Sequence, residues 1–316
     1  MSMISFVIPC YYSEKTIEAV VDEIVNTVKE SDSYEIILVN DGSTDNTYDV
    51  LKRMADNDCH VTAINMSKNF GQHSAIMAGL NNVSKDTDYV VCLDDDGQTP
   101  ADEVYRLIDK IEEGYDVVYA SYPHKQHSVF RNMGTYANEK MTEVMLGKPK
   151  EIFITSYFIA RKYIVDEIIK YNNPYPYIEG LILRTTDNIA CTPVNHRKRE
   201  VGQSGYTLRK LFSMWIDGFT AFSVKPLRIA SFLGACSAII GFIYAVYTFV
   251  KAFIDTSYTP AGWTSLMIVL LIMGGLILLV LGLIGEYIGR MYISMNSSPQ
   301  YVIKSIYRVS DEDVSK

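Results

Sequence analysis

Residues 89–98 read Tyr-Val-Val-Cys-Leu-Asp-Asp-Asp-Gly-Gln, so an apolar run leads directly into three carboxylates and an amide. Three adjacent acids repel one another, and a divalent cation is the usual way to offset that repulsion, because Mg²⁺ and Mn²⁺ prefer oxygen ligands. In an open parallel sheet, ligands bind beyond the carboxyl ends of the strands, where these acids would lie. The segment therefore predicts a strand followed by a cation site. The alternative is a solvated acidic turn.

The surrounding sequence alternates between β-rich runs and helical patterns. The β-rich runs are residues 3–9, 34–40, 61–66, 89–93 and 115–120, and the helical patterns between them are residues 14–30, 45–57, 72–84 and 101–113. This alternation is typical of an α/β fold, in which helices cover both faces of a parallel sheet.

Polar residues follow each predicted strand, and the ends of parallel strands meet at one edge of a sheet, where a nucleotide site belongs. Asp41 follows the second strand, and its carboxylate can accept hydrogen bonds from a uracil, a guanine or a ribose. The alternative for Asp41 is ordinary turn chemistry. No G-x-G-x-x-G motif follows the first strand, so a dinucleotide cofactor is not expected.

Composition excludes several classes of protein. The net charge of −8 argues against a nucleic-acid-binding protein. The five cysteines form no C-x-x-C pair, so neither a zinc site nor a disulfide framework is predicted.

Two long uncharged stretches follow the α/β region. Residues 229–250 are 22 positions without a charge, and residues 256–285 are 30 more. A helix needs about 20 apolar residues to cross a bilayer, so we predict two transmembrane helices. Basic residues flank the pair at Lys225, Arg228 and Arg290, which places the N-terminal region and the C-terminal tail in the cytoplasm by the positive-inside rule.

A basic band precedes the first predicted span. Residues 195–228 hold seven Lys/Arg and two acidic residues, in a chain that is acidic as a whole. Apolar side chains recur in this band at helical spacing, namely Leu208, Leu211, Phe212, Trp215, Phe219 and Phe222. The pattern predicts an amphipathic helix at the membrane surface, and packing on the α/β domain is the alternative.

These motifs together resemble the inverting glycosyltransferases of family 2, which have a GT-A fold. The resemblance rests on Ile8-Pro9 with Tyr12 and Glu14, on residues 39–45, on residues 68–71 and on residues 94–100. With two C-terminal spans, the chain resembles the polyprenyl-phosphate glycosyltransferases of the dolichol-phosphate-mannose-synthase kind, bactoprenol glucosyltransferases being the nearest group. The resemblance implies a Rossmann-like, mostly parallel GT-A domain.

The resemblance also implies roles for residues at matching positions. Asp96 and Gln98 would ligate Mg²⁺ or Mn²⁺, and Asp94 would lie beside the donor. Asp95 stands where the family pattern has a small residue, and it either supports its neighbours or is simply solvated. The nucleotide-sugar would be bound by Pro9, Tyr12, Glu14, Asp41, Lys68, Asp94 and Asp95.

The acceptor side departs from the family pattern, because Ser156 stands where many members carry an aspartate proposed as the base. Serine cannot act as a base unaided, so the chain is either inactive or needs no base there. A lipid phosphate is already ionised near neutral pH, since its second pKa is about 6. We therefore expect Ser156 to donate a hydrogen bond, and Asp94 remains an alternative base.

An anionic acceptor calls for basic groups, and arginine binds phosphate through two parallel hydrogen bonds. The segment 196–204 resembles the family's R-x-A-G-E-S segment at Arg199, Gly202 and Ser204, and Arg131 matches another arginine position of the family. The resemblance implies that Arg131, Arg199 and Ser204 bind the acceptor phosphate. It assigns catalysis to Asp94, Asp96, Arg131, Ser156 and Arg199.

We predict four parts: a cytoplasmic GT-A domain at residues 1–205, an amphipathic juxtamembrane segment at 206–226, a two-helix transmembrane hairpin at 227–289 and a cytoplasmic tail at 290–316. The predicted reaction is metal-assisted, inverting transfer of one hexose from a UDP- or GDP-sugar to undecaprenyl phosphate in the bacterial plasma membrane. Related enzymes form tetramers, so a homo-oligomer is expected. The alternatives are a processive polysaccharide synthase, which usually carries a Q-x-x-R-W motif absent here, and a catalytically decayed membrane scaffold.

Overall fold

The structure, a computed structural model, describes residues 2–28, 32–122, 143, 148–195, 225–254, 262–296 and 298–309. Its first five strands and four helices follow the alternation predicted from the sequence. The strands are β1 (Met3–Cys10), β2 (Ser33–Asn40), β3 (Val61–Met66), β4 (Tyr89–Cys92) and β5 (Val117–Ser121). The helices are α1 (Ile17–Thr27), α2 (Thr47–Asn57), α3 (Gln72–Leu80) and α4 (Val104–Glu112).

Further elements complete the sheet. They are β6 (Phe158–Arg161), α5 (Lys162–Ile168), α6 (Ile178–Thr185), β7 (Ile189–Pro193) and β8 (Ile303–Tyr307). Among the described residues the sheet has eight strands in the order β7-β5-β6-β4-β1-β2-β3-β8. The prediction of a mostly parallel sheet is confirmed for β1 to β4, whereas β6 and β8 run antiparallel to their neighbours.

The core of this sheet domain forms because each strand is buried along most of its length. All of β1 after Met3 is buried, as expected for a central parallel strand with helices on both faces. Helix α1 buries Ile17, Val20, Val21 and Ile24, the spacing of one helical face. Helix α3 approaches β1 closely at Gly79, where an added Cβ would lie 2.4 Å from Val7 Cγ1.

The chain divides into two compact units, and the second comprises residues 215–296. This unit contains two long helices, α7 (Lys225–Ile254) and α8 (Trp263–Met295). Among the described residues, one segment is long and apolar enough to cross a membrane, Ile272–Met295, with a mean hydropathy of 2.0. Of the two predicted spans, this finding supports the one in α8; in α7 the apolar stretch found among the described residues is Ala230–Tyr244. The predicted amphipathic helix at 207–222 lies outside the described residues.

The C-terminal tail returns to the first unit and adds β8 to the sheet. Ile306 of β8 pairs with Ile64 of β3, and the hydroxyls of Tyr48 and Ser305 lie 2.9 Å apart. Tyr307 donates a hydrogen bond to Asp56 Oδ1 at 2.5 Å. The tail is therefore an integral strand of the sheet, held to both β3 and α2.

Gly42 is required by a close approach of two loops at the end of β2. Its φ is +66°, and an added Cβ would lie 2.3 Å from Lys68 C and 2.4 Å from Asn69 N, both backbone atoms. We expect Gly42→Ala to destabilise the first unit by about 2 kcal/mol or more, since left-handed strain alone costs about 1–2 kcal/mol. Thermal unfolding of the purified chain measures the loss.

Gly114→Ala is the matched control for Gly42→Ala. Gly114 also has a positive φ, +109°, yet an added Cβ would meet nothing within 4 Å. Gly114→Ala should therefore lower stability only by the strain of a positive φ, without a steric clash. Equal destabilisation of the two variants would contradict the importance of the contact between the loops.

Candidate active site

The carboxyl ends of β1, β2, β3 and β4 meet at one edge of the sheet, as predicted. Cys10 pairs with Asn40 at the ends of β1 and β2, and Val7 pairs with Cys92 of β4. Asn40 donates through Nδ2 to Asn65 Oδ1 at 2.9 Å, which joins the ends of β2 and β3. The loops after these strands therefore gather the acids predicted to form the site.

Asp94 is held by two hydrogen-bond donors from different elements. Gln72, the first residue of α3, donates through Nε2 to Oδ1 at 2.9 Å, and the Ser156 hydroxyl donates to Oδ2. Burial raises the pKa of Asp94 to about 6, and the neighbouring carboxylates of Asp96 and Asp95 add to this, while the two donors oppose it. Asp94 and Ser156, predicted to share the site, are thus brought together.

Asp95 is not a solvated side chain, so that alternative is wrong. Its Oδ2 accepts a hydrogen bond from the backbone amide of Tyr11 at 3.0 Å and another from the Ser13 hydroxyl. Burial raises the pKa of Asp95, and these donors oppose the increase. Asp95 therefore fastens the end of β4 to the loop after β1.

Asp96 and Gln98, the predicted metal ligands, are joined by a tight turn in which the amide of Gln98 donates to Asp96 Oδ1 at 3.0 Å. Gly97 between them has a φ of +70°, a conformation that glycine adopts without strain. A carboxylate and a side-chain amide two residues apart offer hard oxygen ligands, a set that fits Mg²⁺ or Mn²⁺.

Asp41 lies almost fully buried between β2 and the loop that precedes α3. Its Oδ1 accepts from the Phe70 amide at 2.7 Å and its Oδ2 from the Gly71 amide at 3.0 Å. Burial raises the pKa of Asp41 to about 6, against the lowering effect of these two amides. Asp41 therefore holds the 67–71 loop in place through contacts with residues 29 and 30 positions along the chain.

The loop after β1 carries two further predicted donor-binding residues, Tyr12 and Glu14. Tyr12 has a φ of +57°, and its conformation is supported by its amide donating to Ser43 Oγ at 3.1 Å and by a 2.8 Å contact of its hydroxyl with Thr44 Oγ1. Glu14 accepts hydrogen bonds from the Asn46 amide and side chain, both at 3.2 Å. Pro9 lies within β1, opposite Val39.

Tyr11 and Tyr12 present their rings to solvent beside these acids. The two residues are 47% and 53% exposed, and their rings meet edge to face with centroids 4.5 Å apart. Lys68 is exposed, with Nζ 5.0 Å from the centre of the Phe70 ring. The edge of the site therefore combines aromatic surface with a cation.

Arg131, Arg199 and Ser204, predicted to bind the acceptor phosphate, lie outside the described residues. Ser156 was expected to donate a hydrogen bond toward the acceptor, and in the structure its hydroxyl donates to Asp94 instead. A serine hydroxyl has one proton to donate, so this bond occupies it.

Sequence reasoning missed three partners in the site. Gln72 follows the predicted 68–71 motif directly, so its place at the start of a helix beside the acids was a usable signal. Ser13 lies between Tyr12 and Glu14 of the first motif, but its bond to Asp95 joins residues far apart in the chain. Glu179, which lies near His73, had no local signal.

A second group of potential metal ligands lies elsewhere. Across the described residues, Asp58, Cys59 and His60 form the one group of three such side chains whose ligand atoms lie within 4.8 Å of one another. Asp58 already accepts from the His60 amide at 2.9 Å and contacts His60 Nδ1 at 2.7 Å, as residues of a tight turn do. The turn precedes β3, at the amino end of the strand.

The pKa of Asp41 predicts a pH-dependent stability. Its value in the folded state, about 6, lies above the ordinary 3.8, so the protonated carboxyl favours folding. This contribution is complete below about pH 4 and is lost as pH rises through 6. Relative to the wild type, Asp41→Asn should therefore gain about 2–3 kcal/mol between pH 4 and pH 7, because asparagine does not titrate.

Thermal unfolding of the detergent-solubilised chain across this pH range measures that difference. Asp86→Asn, at an exposed position, should run parallel to the wild type. A constant offset between Asp41→Asn and the wild type at all pH values would contradict the raised pKa.

Comparison with protein families gives two matches. The glycosyl transferase family 2 model matches residues 5–169, and the GtrB C-terminal hairpin model matches residues 225–291. The first match covers the elements from β1 to α5, and the second covers α7 and most of α8.

Comparison with individual proteins extends over the whole chain. The undecaprenyl-phosphate 4-deoxy-4-formamido-L-arabinose transferase of Yersinia pestis (strain Pestoides F) is 33% identical over 323 aligned positions, covering 99% of this chain and 97% of the relative. The transferase of that name from Yersinia pseudotuberculosis serotype O:3 (strain YPIII) gives the same values.

Solved structures show the same fold at lower identity. Glucosyl-3-phosphoglycerate synthase from Mycobacterium tuberculosis, in complex with Mn²⁺, UDP-glucose and phosphoglyceric acid, has a TM-score of 0.50 at 19% identity, covering 68% of this chain and 76% of the synthase. Its complex with UDP has a TM-score of 0.51 with the same coverage. This likeness shows a GT-A type fold.

Proposed function

This chain belongs to glycosyl transferase family 2 and is a glycosyltransferase, and on that basis we propose that it transfers one sugar from a nucleoside-diphosphate sugar to polyprenyl phosphate. The observation that carries the proposal is the cluster of Asp94, Asp95 and Asp96 at the sheet edge, in a chain similar over its whole length to undecaprenyl-phosphate sugar transferases. We infer inversion at the sugar, as the family resemblance implies.

The donor would lie along the loops after β1, β2 and β4. The exposed rings of Tyr11 and Tyr12 offer a surface on which a nucleobase can stack, an interaction worth about 1–3 kcal/mol per base. Asp41 fixes the 67–71 loop beside them, and Lys68 on that loop can approach the diphosphate. Pro9 would support this binding surface from β1, and Glu14 from the loop after β1, where it accepts hydrogen bonds from Asn46.

Asp96 and Gln98 would hold a divalent cation, Mg²⁺ or Mn²⁺. When bound, such a cation supplies Lewis-acid stabilisation of the negative charge that develops on the departing diphosphate. Asp95 keeps the loop that carries these ligands attached to β1. Asp94 would face the reacting sugar, with Gln72 and Ser156 fixing the orientation of its carboxylate.

The acceptor phosphate requires positioning more than deprotonation, because its second pKa is about 6. Arg131, Arg199 and Ser204 remain our proposal for the groups that bind it. The bond from Ser156 to Asp94 gives this serine a role in orienting a carboxylate, and an Asp94 with a raised pKa is the alternative proton acceptor.

The second unit would form a two-helix membrane hairpin that keeps the enzyme where its lipid acceptor resides. Large apolar side chains are exposed along both helices, including Phe232, Ile240 and Phe242 of α7 and Leu278 of α8. Exposed apolar surface on this scale marks a membrane or protein interface. We propose that both helices span the bacterial plasma membrane, with the sheet domain and both termini in the cytoplasm.

Replacing the proposed metal ligand tests the reaction. We expect Asp96→Asn to lower sugar transfer to undecaprenyl phosphate by about a hundredfold or more, because it weakens an interaction worth several kcal/mol in the transition state. The measurement is transfer of radiolabelled sugar from a panel of UDP- and GDP-sugars by the purified chain, with and without EDTA.

Asp86→Asn makes the same chemical change at an exposed position and should leave transfer unchanged. EDTA should abolish transfer by the wild type, and added Mg²⁺ or Mn²⁺ should restore it. If no donor in the panel yields a lipid-linked sugar, the proposed function is contradicted.

The role of Ser156 is open to a separate test. Ser156→Ala removes one of the two donors that oppose the raised pKa of Asp94, and it frees Oδ2. We expect about a tenfold loss of kcat, the value of one hydrogen bond to a charged group. Near-full turnover by Ser156→Ala would show that this bond is dispensable.

A further inference from the structure

One group of polar side chains lies beside the proposed site but has no part in the reaction so far described. His73 is the second residue of α3 and follows Gln72, which holds Asp94. Glu179 is the second residue of α6, and Tyr177 precedes that helix. After burial itself, the charge of Glu179 raises the pKa of the Tyr119 hydroxyl, so this residue of β5 lies within electrostatic reach of Glu179. We term His73, Tyr119, Tyr177 and Glu179 the His73–Glu179 cluster.

Within this cluster, His73 and Glu179 approach each other without forming a hydrogen bond. His73 Nδ1 lies 3.7 Å from Glu179 Oε2, close enough for an ion pair but beyond the roughly 2.7–3.2 Å of an N–H···O hydrogen bond. The ring of Tyr177 meets the imidazole edge to face at a centroid distance of 5.2 Å. A gap of this length between a donor and an acceptor is one that a third polar group can bridge.

Unpaired polar atoms concentrate here. Within the described part of the chain, the buried side-chain polar atoms without a hydrogen-bond partner are three: His73 Nδ1, Tyr119 Oη and Glu179 Oε2. A buried polar group left unsatisfied costs about 1–3 kcal/mol, so three in one cluster indicate a site whose partner comes from outside the fold.

The cluster lies close to Asp94. Cys92 and Tyr119 both pair with Phe158, so they belong to one row across β4, β6 and β5. After burial itself, the charges of Asp94 and Glu179 both raise the pKa of the Cys92 thiol, so both carboxylates lie within electrostatic reach of this residue.

The loop that leads to Tyr177 and α6 is held by hydrogen bonds from the C-terminal tail. Gln300 donates through Nε2 to the carbonyl oxygens of Tyr171 and Asn173, at 3.1 and 2.9 Å. The loop then passes through Tyr175, with a φ of +67°, to Tyr177 and α6. Held in this way, Glu179 keeps a defined position opposite His73.

We propose that Glu179 and His73 are specificity-determining residues that hydrogen-bond a hydroxyl group of the transferred sugar. The facing atoms Nδ1 and Oε2 are buried, but the side chains of His73 and Glu179 as a whole are 27% and 17% exposed, so a ligand hydroxyl can approach the pair from its exposed side. A hydroxyl donates its proton to the carboxylate and accepts from the imidazole N–H, which satisfies both groups at once. The inference rests on the proposed function, because it names the residues that bind the sugar part of the same donor.

The test separates the sugar from the nucleotide. Affinities of the purified full-length chain for a nucleoside diphosphate and for the corresponding nucleotide-sugar are measured by calorimetry with Mn²⁺, using the best donor of the transfer panel. We expect Glu179→Gln and His73→Gln each to weaken nucleotide-sugar binding about tenfold, the value of a hydrogen bond to a charged group. Binding of the nucleoside diphosphate should stay within about twofold of the wild type, because the two residues contact the sugar alone.

Glu112→Gln is the matched control, since it makes the same change on an exposed residue at the end of α4. Equal weakening of both ligands would overturn the inference in favour of a structural role, and unchanged sugar affinity in both variants would overturn it in favour of a buried water. A wild type that binds nucleotide-sugar while the variants match it rejects this inference alone. If the wild type neither binds a nucleotide-sugar nor transfers a sugar, the proposed function is rejected and this inference with it.

Discussion

The site depends on supplying hydrogen-bond donors to carboxylates that are withdrawn from water. Asp41, Asp94 and Asp95 lie at the ends of β2 and β4, and burial raises the pKa of each. Their donors come from separate parts of the chain: the amides of Tyr11, Phe70 and Gly71, and the side chains of Ser13, Gln72 and Ser156. Each carboxylate is a point where distant segments meet, so the acids organise the loops around the proposed site.

Much of the first half of the chain could be predicted because its signals are local. Strands β1 to β4 are continuous apolar runs, and the acids follow β4 directly, so both the sheet edge and its polar cluster are visible in sequence. Strands β6, β7 and β8 were missed because they come after the predicted strand–helix alternation and are defined by pairing with strands distant in sequence. β6 also lies beside Ser156, in a segment that was interpreted for its catalytic motif.

The parts of the site that could not be predicted are the ones that depend on distant pairing. Nothing in the sequence around Asp95 indicates that Ser13 and the Tyr11 amide bind it, and a family pattern with a small residue at that position favoured a minor role. Likewise, Glu179 and His73 belong to helices far apart in the chain, and they meet because α3 and α6 pack against each other. Tertiary contacts, rather than local propensity, decide such pairs.

β8 is made after nearly all of the chain, yet it completes a sheet whose other strands lie in the first 193 residues. Until the ribosome has passed the two long helices, the outer edge of β3 has no partner and offers unpaired backbone groups to other chains. Because segments emerge in order during synthesis, the sheet can close only after α7 and α8 have left the ribosome. Synthesis of those helices thus becomes a precondition for the finished sheet.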